Sequence, residues 1–324
     1  MKRKLRPVLD GDWWLIGPSP DLEKQLGPSM PPEAGKEHNA VVDHHVFHDH
    51  VGLWHLWACV RATACGRVLY HWTSPRLAAS PWTASGEVIR CDRVAGEALD
   101  SYGGQEWMQS PYVVNEGGTF YMFYGGHTTG VGPDGLPAHG VEDRNECQIC
   151  LMTSPDGRNW TRHRDERGYS RVFTGPGEAR DPCVINIGGL WYCYYAGYEP
   201  GERFRPGFYA RTSTDLIHWS PAKCIHRDLK LAGGRWDHEC PHVVQRDGYF
   251  YLFRTENYYN LKSHVFRSED PLDFGVDSGE KYLCPFPAAA VEVIVDGEGK
   301  EYVTSVHRPP VGAEMCRLTW ELDE

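Results

Sequence analysis

Little in this sequence favours a membrane, a nucleic acid or a disulfide scaffold. No stretch approaches the roughly 18 consecutive apolar residues of a membrane-spanning helix. Positive charge is scarce: 33 Lys and Arg stand against 44 Asp and Glu, a net charge of −11. Phosphate contacts need concentrated Lys and Arg, so no nucleic-acid partner is expected. The one basic run, Lys2 to Arg6, reads as a solvated terminus. Eleven cysteines, an odd number, are scattered without the dense spacing of a disulfide framework, which fits reduced thiols. Cys147-Gln-Ile-Cys150 has no second pair at zinc spacing and reads as part of a strand. No apolar leader follows Met1, so a cytoplasmic location is expected.

What is abundant is aromatic side chains and turn formers: 12 Trp, 17 Tyr, 35 Gly and 23 Pro. That mixture suits many short strands joined by tight turns. An internal repeat sets the architecture. Its unit is a short extended run, a Gly-containing turn and an aromatic-rich strand. It occurs near residues 43–57, 110–124, 181–195 and 239–253, with a weaker copy near 290–303. Gly117-Gly118, Gly188-Gly189 and Asp247-Gly248 supply the positive φ angles of hairpin turns. A second element follows: Ser74-Pro with Trp82, Thr153-Ser-Pro-Asp with Trp160, Thr212-Ser-Thr-Asp with Trp219, and Arg267-Ser-Glu-Asp with Phe274. It reads as the end of a third strand, a turn, and an aromatic packing between sheets.

Five such units predict an all-β, five-bladed β-propeller, a single domain over residues 1–324 with no C-terminal β-sandwich. Trp13–Ile16 and Cys316–Trp320 are strand-like runs outside the units, assigned to the sheet that joins the termini.

In a propeller, equivalent positions of different blades converge at the mouth of a central channel. Aligning the copies brings Asp43, Ser110, Asp181, Cys240 and Ala290 to one level, with Gln109, Arg180 and Glu239 one residue earlier. Three carboxylates, Asp43, Asp181 and Glu239, therefore meet at the channel mouth. Glycosidic cleavage demands such a set: one acid stays protonated to donate to the leaving oxygen, while another is ionised as nucleophile or base. Trp107, Trp236 and His238 flank these positions as sugar platforms, and His44 is placed to touch sugar beside Asp43. His38, His44, His45, His48 and His50 form a cluster, but strand alternation turns neighbours apart, so no metal site is expected there. Val131–Pro137 reads as an extended loop over one face.

Ala179-Arg-Asp-Pro182 and Trp236-Asp-His-Glu-Cys-Pro241 resemble the Arg-Asp-Pro and Glu-Cys-Pro motifs of glycoside hydrolase family 32 and its relatives. The repeat as a whole is also similar to family 43. The resemblance implies that Glu239 is the general acid. Asp181 would be the third carboxylate that stabilises the transition state and tunes Glu239, and Asp43 the nucleophile or base. It implies substrate contact for Arg180. Where family 32 carries a Trp-Met-Asn-Asp-Pro-like motif, this chain has Val41-Val-Asp-His-His45, so Asp43 rests on repeat position. The expected activity is removal of a terminal, fructosyl- or arabinosyl-like furanosidic residue from small oligosaccharides, with no cofactor required and a structural calcium compatible with the fold. Two alternatives remain. One is a glycoside phosphorylase using a basic cluster of Arg180, Arg254 and Arg308; the other is a non-catalytic sugar-binding propeller.

Overall fold

The computed structural model describes residues 2–29, 39–97, 105–127, 147–199, 205–231, 234, 237–308 and 311–323. Trp236, His38 and the Val131–Pro137 loop lie outside the described residues. The chain is almost entirely β, and each repeat unit builds four antiparallel strands. The first unit is Ala40–His48, Trp54–Thr63, Gly66–Ser74 and Thr83–Ile89; the second has Glu106–Glu116, Thr119–His127, Cys147–Ser154 and Arg171–Thr174 as its main strands. Arg180–Ile187, Leu190–Glu199, Arg205–Ser213 and Lys223–His226 form the third. Glu239–Arg246, Tyr249–Asn257, Lys262–Ser268 and Tyr282–Phe286 form the fourth. In the last sheet Glu292–Val295, Glu301–Val306 and Gly312–Leu322 are joined by the N-terminal strand Leu5–Pro18, with Trp14 opposite Met315. The terminal runs thus share one sheet, which ties the two ends of the chain together.

The first strand of each unit touches the first strand of the next, and the fifth touches the first, so the five innermost strands close a ring. Within three units the first two strands are joined by two-residue turns at Gly117-Gly118, Gly188-Gly189 and Asp247-Gly248, every residue with φ between 49° and 89°. Both turn residues at positive φ give the primed turn whose twist matches that of the strands. The second strands carry many of the buried aromatic side chains, including Trp57, Tyr124, Tyr194, Tyr195 and Phe253.

The Ser/Asp turns act as spacers between sheets. Asp156 accepts from the amides of Arg158 and Asn159, and Asp215 repeats this with Ile217 and His218. Each turn then drives an aromatic ring back onto the preceding unit. Trp160 meets Trp57 edge-on at 6.5 Å, Trp219 meets Phe123 at 5.7 Å, and Phe274 meets Tyr194 at 6.5 Å. Cys147 and Cys150 are buried within a strand.

One feature departs from five separate sheets. Gly66 and Arg67 pair in parallel with Glu106 and Trp107, joining units one and two into a single nine-stranded sheet. Gly66 has φ +111°, and a Cβ there would stand 2.4 Å from the Glu106 carbonyl oxygen. Only glycine permits this approach, and the approach brings Arg67 alongside Trp107.

Candidate active site

The level at which the repeat aligns is a backbone irregularity. Ser110, Asp181, Cys240 and Ala290 all have φ between 49° and 57°, a region non-glycine residues adopt at a cost. The first three are each followed by proline. Proline lacks the N–H that the ladder needs. The register slips accordingly between Gln109 and Tyr112, Arg180 and Cys183, and Glu239 and His242. A matching slip between Val42 and His44 leaves Asp43 unpaired in the first unit, without a proline. These bulges turn the side chains just before and at the break toward the centre of the ring.

There they line a cavity of about 490 Å³, whose walls include Asp43, Asp181, Glu239, Arg180, Gln109, Trp107 and Tyr258. The volume lies within the range of small-molecule clefts. All three predicted carboxylates face it, as do the predicted contacts Arg180, Gln109 and Trp107. His44 does not line this cavity but a small adjoining one, shared with Asp43, Asp181, Tyr112, His242 and Glu292. His238 is a correction to its reading as a sugar platform. It is buried behind the site, its Nε2 3.1 Å from the Arg254 guanidinium. It precedes the strand that begins at Glu239, and its ring packs against Phe208 and His226 instead.

The carboxylates are tightly connected. Ser110 Oγ lies 3.0 Å from Asp43 Oδ2 and 2.7 Å from Asp181 Oδ1. Tyr258 donates its hydroxyl to Asp43 Oδ1 at 2.7 Å, and the Cys240 amide donates to Asp181 at 3.2 Å. Arg180 binds Glu178 through Nε at 3.0 Å, while its Nη1 contacts Asp181 and sits 3.1 Å from Glu239. One guanidinium therefore ties three acids together. Oxygens of Asp43 and Asp181 and the Cys240 sulfur come within 4.8 Å of one another. Those carboxylates accept from Ser110, Tyr258, Arg180 and the Cys240 amide.

The charge states diverge. Burial pushes the Asp43 carboxyl up, but the Tyr258 hydrogen bond, the Arg67 charge, Ser110 and Arg180 together outweigh it and hold Asp43 below its ordinary value. Burial pushes Asp181 up; Arg180 opposes this, and the Asp43 charge adds to the rise. Glu239 is pushed up to about 8 by burial, against Arg180 and with help from the Asp181 and Asp43 charges. Ser110 has one hydroxyl hydrogen to donate, and its bond to Asp43 is among the causes that hold that carboxyl low.

Ser110 and Tyr258 were not foreseen as site residues. Ser110 was visible at the aligned level but carries no charge to mark it. Tyr258 lies just past the second strand of its unit, where no repeat position identifies it. Arg67 reaches the site only through the parallel junction at Gly66.

No family model matches the chain, and no curated protein matches it in sequence. Solved structures do match it. A thermostable family-43 glycoside hydrolase superposes with a TM-score of 0.58 at 17% identity, covering 88% of this chain and 90% of that one. An exo-1,5-α-L-arabinanase from a bovine ruminal metagenomic library gives a TM-score of 0.57 at 19% identity, covering 87% and 92%. A family-32 β-fructofuranosidase of Bombyx mori gives 0.59 at 17% identity, over 89% of this chain and 64% of its own. The fold of this chain is the one these glycoside hydrolase structures share.

Proposed function

We propose that this chain is a single-domain, five-bladed propeller and a glycoside hydrolase that removes a terminal sugar from small oligosaccharides. The observation that carries the reading is the opposed charge of two acids in one cavity: Asp43 held ionised and Glu239 held protonated at neutral pH. This is the division of labour that glycosidic cleavage requires. Glu239 donates its proton to the leaving oxygen. Asp43 attacks the anomeric carbon or activates water, and Asp181, joined to both through Ser110 and Arg180, steadies their charge difference. The chemistry needs no cofactor. A furanosidic, fructosyl- or arabinosyl-like terminal unit is the substrate we favour, in keeping with the arabinanase and fructofuranosidase among the similar structures.

Of the three arginines expected to serve a phosphorylase, Arg254 is buried against His226 and His238 and Arg308 is paired with Glu314 at 3.2 Å, so Arg180 alone of the three lines the cavity. Turnover with and without added phosphate separates the two readings, and hydrolysis without it is the expected outcome.

A panel of aryl furanosides and pyranosides tests the reading, with NMR of the first-formed anomer to assign Asp43 as nucleophile or base. Glu239→Gln and Asp43→Asn are each expected to lower kcat by at least about 10³ on an unactivated oligosaccharide while the circular dichroism spectrum is retained. Full activity in either variant would refute the assignment.

A further inference from the structure

The cavity is divided by charge. Glu178, Asp181, Asp237, Glu239 and Glu256 come from the third and fourth units, and the Arg180 guanidinium among them is shared by Glu178, Asp181 and Glu239. Arg61 and Arg67 come from the first unit and line the same space. Neither has a carboxylate within ion-pair distance among the described residues. Arg67 donates to Gln109 Oε1 at 2.5 Å and lies over the Trp107 ring, 4.1 Å from its centroid. Its charge is among those that hold the Asp43 carboxyl low. Arg61 reaches the Tyr259 hydroxyl at 3.2 Å and His307 Nε2 at 3.4 Å, and its Nε is buried with no partner. His307 is pushed down to about 4 by burial and by the Arg61 charge, so it is a neutral acceptor.

Two guanidiniums whose hydrogen-bond partners among the described residues are neutral stand at the wall of a cavity, and the buried Arg61 Nε has no partner, which is costly. A ligand supplying anionic oxygens satisfies both, because the guanidinium fork matches carboxylate and phosphate geometry. We propose that Arg61 and Arg67 form an anion subsite and that the preferred sugar carries an acidic substituent, a carboxylate or a phosphate. This rests on the reading of the cavity as a sugar site, and it gives the substrate a direction. Its anionic substituent points to the Arg61 wall, and its glycosidic bond lies toward Glu239. A negatively charged sugar is otherwise an improbable guest for a chain of net charge −11, which makes the preference a sharp one to measure.

The experiment is calorimetric binding of two matched pairs: glucuronate against glucose, and fructose 6-phosphate against fructose. At least one acidic member is expected to bind tenfold or more tightly than its neutral counterpart, and the pair that does so identifies the anion. Arg61→Met is expected to bring that ratio to within about twofold, and Arg61→Lys to keep part of it. Melting temperatures of both variants report whether they fold. Should Arg61→Met not fold, the wild-type ratio must still fall as salt is raised from 50 to 500 mM, as charge pairing at a solvent-accessible site requires. Equal binding within both pairs overturns the proposal, as does a preference unchanged in a folded Arg61→Met. Because binding is read without turnover, a chain that prefers acidic sugars yet cleaves no glycoside keeps the subsite and loses the hydrolase reading. Cleavage of neutral glycosides with no acidic preference does the reverse.

Discussion

Ser110 has one hydrogen for two carboxylates, and Tyr258 gives its only hydrogen to one of them. Both favour the ionised form of Asp43. Removing either donor should therefore raise the Asp43 pKa, and a hydrogen bond to a charged group is worth enough for a shift of about 1–2 pH units. Ser110→Ala and Tyr258→Phe are expected to move the acid limb of kcat/KM upward by that amount. The alkaline limb, which belongs to Glu239 at about 8, should stay nearer its place. Variants that lower kcat with both limbs unmoved would show that these hydroxyls only pack. At this scale the charged members of the site were legible, because Asp181 sits at the aligned level just before Pro182 and Glu239 one residue ahead of it in Glu239-Cys-Pro241. Ser110 and Tyr258 were not, since a hydroxyl becomes functional only through what the fold sets against it. His238 shows the converse: sequence adjacency to Glu239 placed it near the site, while its ring packs away from the cavity against Phe208 and His226.

At the scale of single elements, the repeat was readable because each copy solves the same local problem. A two-residue turn needs positive φ, a strand between sheets needs aromatics, and a Ser/Asp turn needs side-chain acceptors for its amides. The strand breaks that aim the site were only half readable. Pro111, Pro182 and Pro241 mark three of them, while the one at Asp43 has no proline. The parallel contact of Gly66 and Arg67 with Glu106 and Trp107 left no trace in the pattern, because it involves two residues and no alternation. Its dependence on one glycine makes it testable. Gly66→Ala puts a Cβ 2.4 Å from a backbone oxygen at φ +111°, and backbone strain of that kind costs about 2–3 kcal/mol. The urea midpoint is expected to fall accordingly. The KM for substrate should rise with it, since Arg67 would lose its seat on Trp107. A wild-type midpoint would mean that the junction between units one and two bears no load.

For the whole molecule, burial of ionisable groups around the ring makes stability depend on pH from both sides. Glu239 titrates at about 8 in the folded chain and near 4.5 when unfolded. The unfolded state therefore releases its proton first, so stability from this group is full below 4.5 and is lost as pH rises toward 8. His226 and His242 behave oppositely. Burial lowers them to about 3 and about 4 from 6.5, so the unfolded chain binds their protons first as pH falls. Stability from these groups is present above 6.5 and is lost on the way down to about 4 for His242 and about 3 for His226. The two losses overlap, which should give a maximum inside the window rather than a plateau. Glu239→Gln removes only the alkaline arm. Its melting temperature is expected to match wild type at pH 4.5 and to exceed it by a few degrees at pH 8, while catalysis is lost at both. An acid whose removal stabilises the fold in the pH range where its proton is needed is held there for chemistry. A melting difference that does not grow between pH 4.5 and 8 would remove Glu239 from the role of a proton donor kept charged-averse by its surroundings.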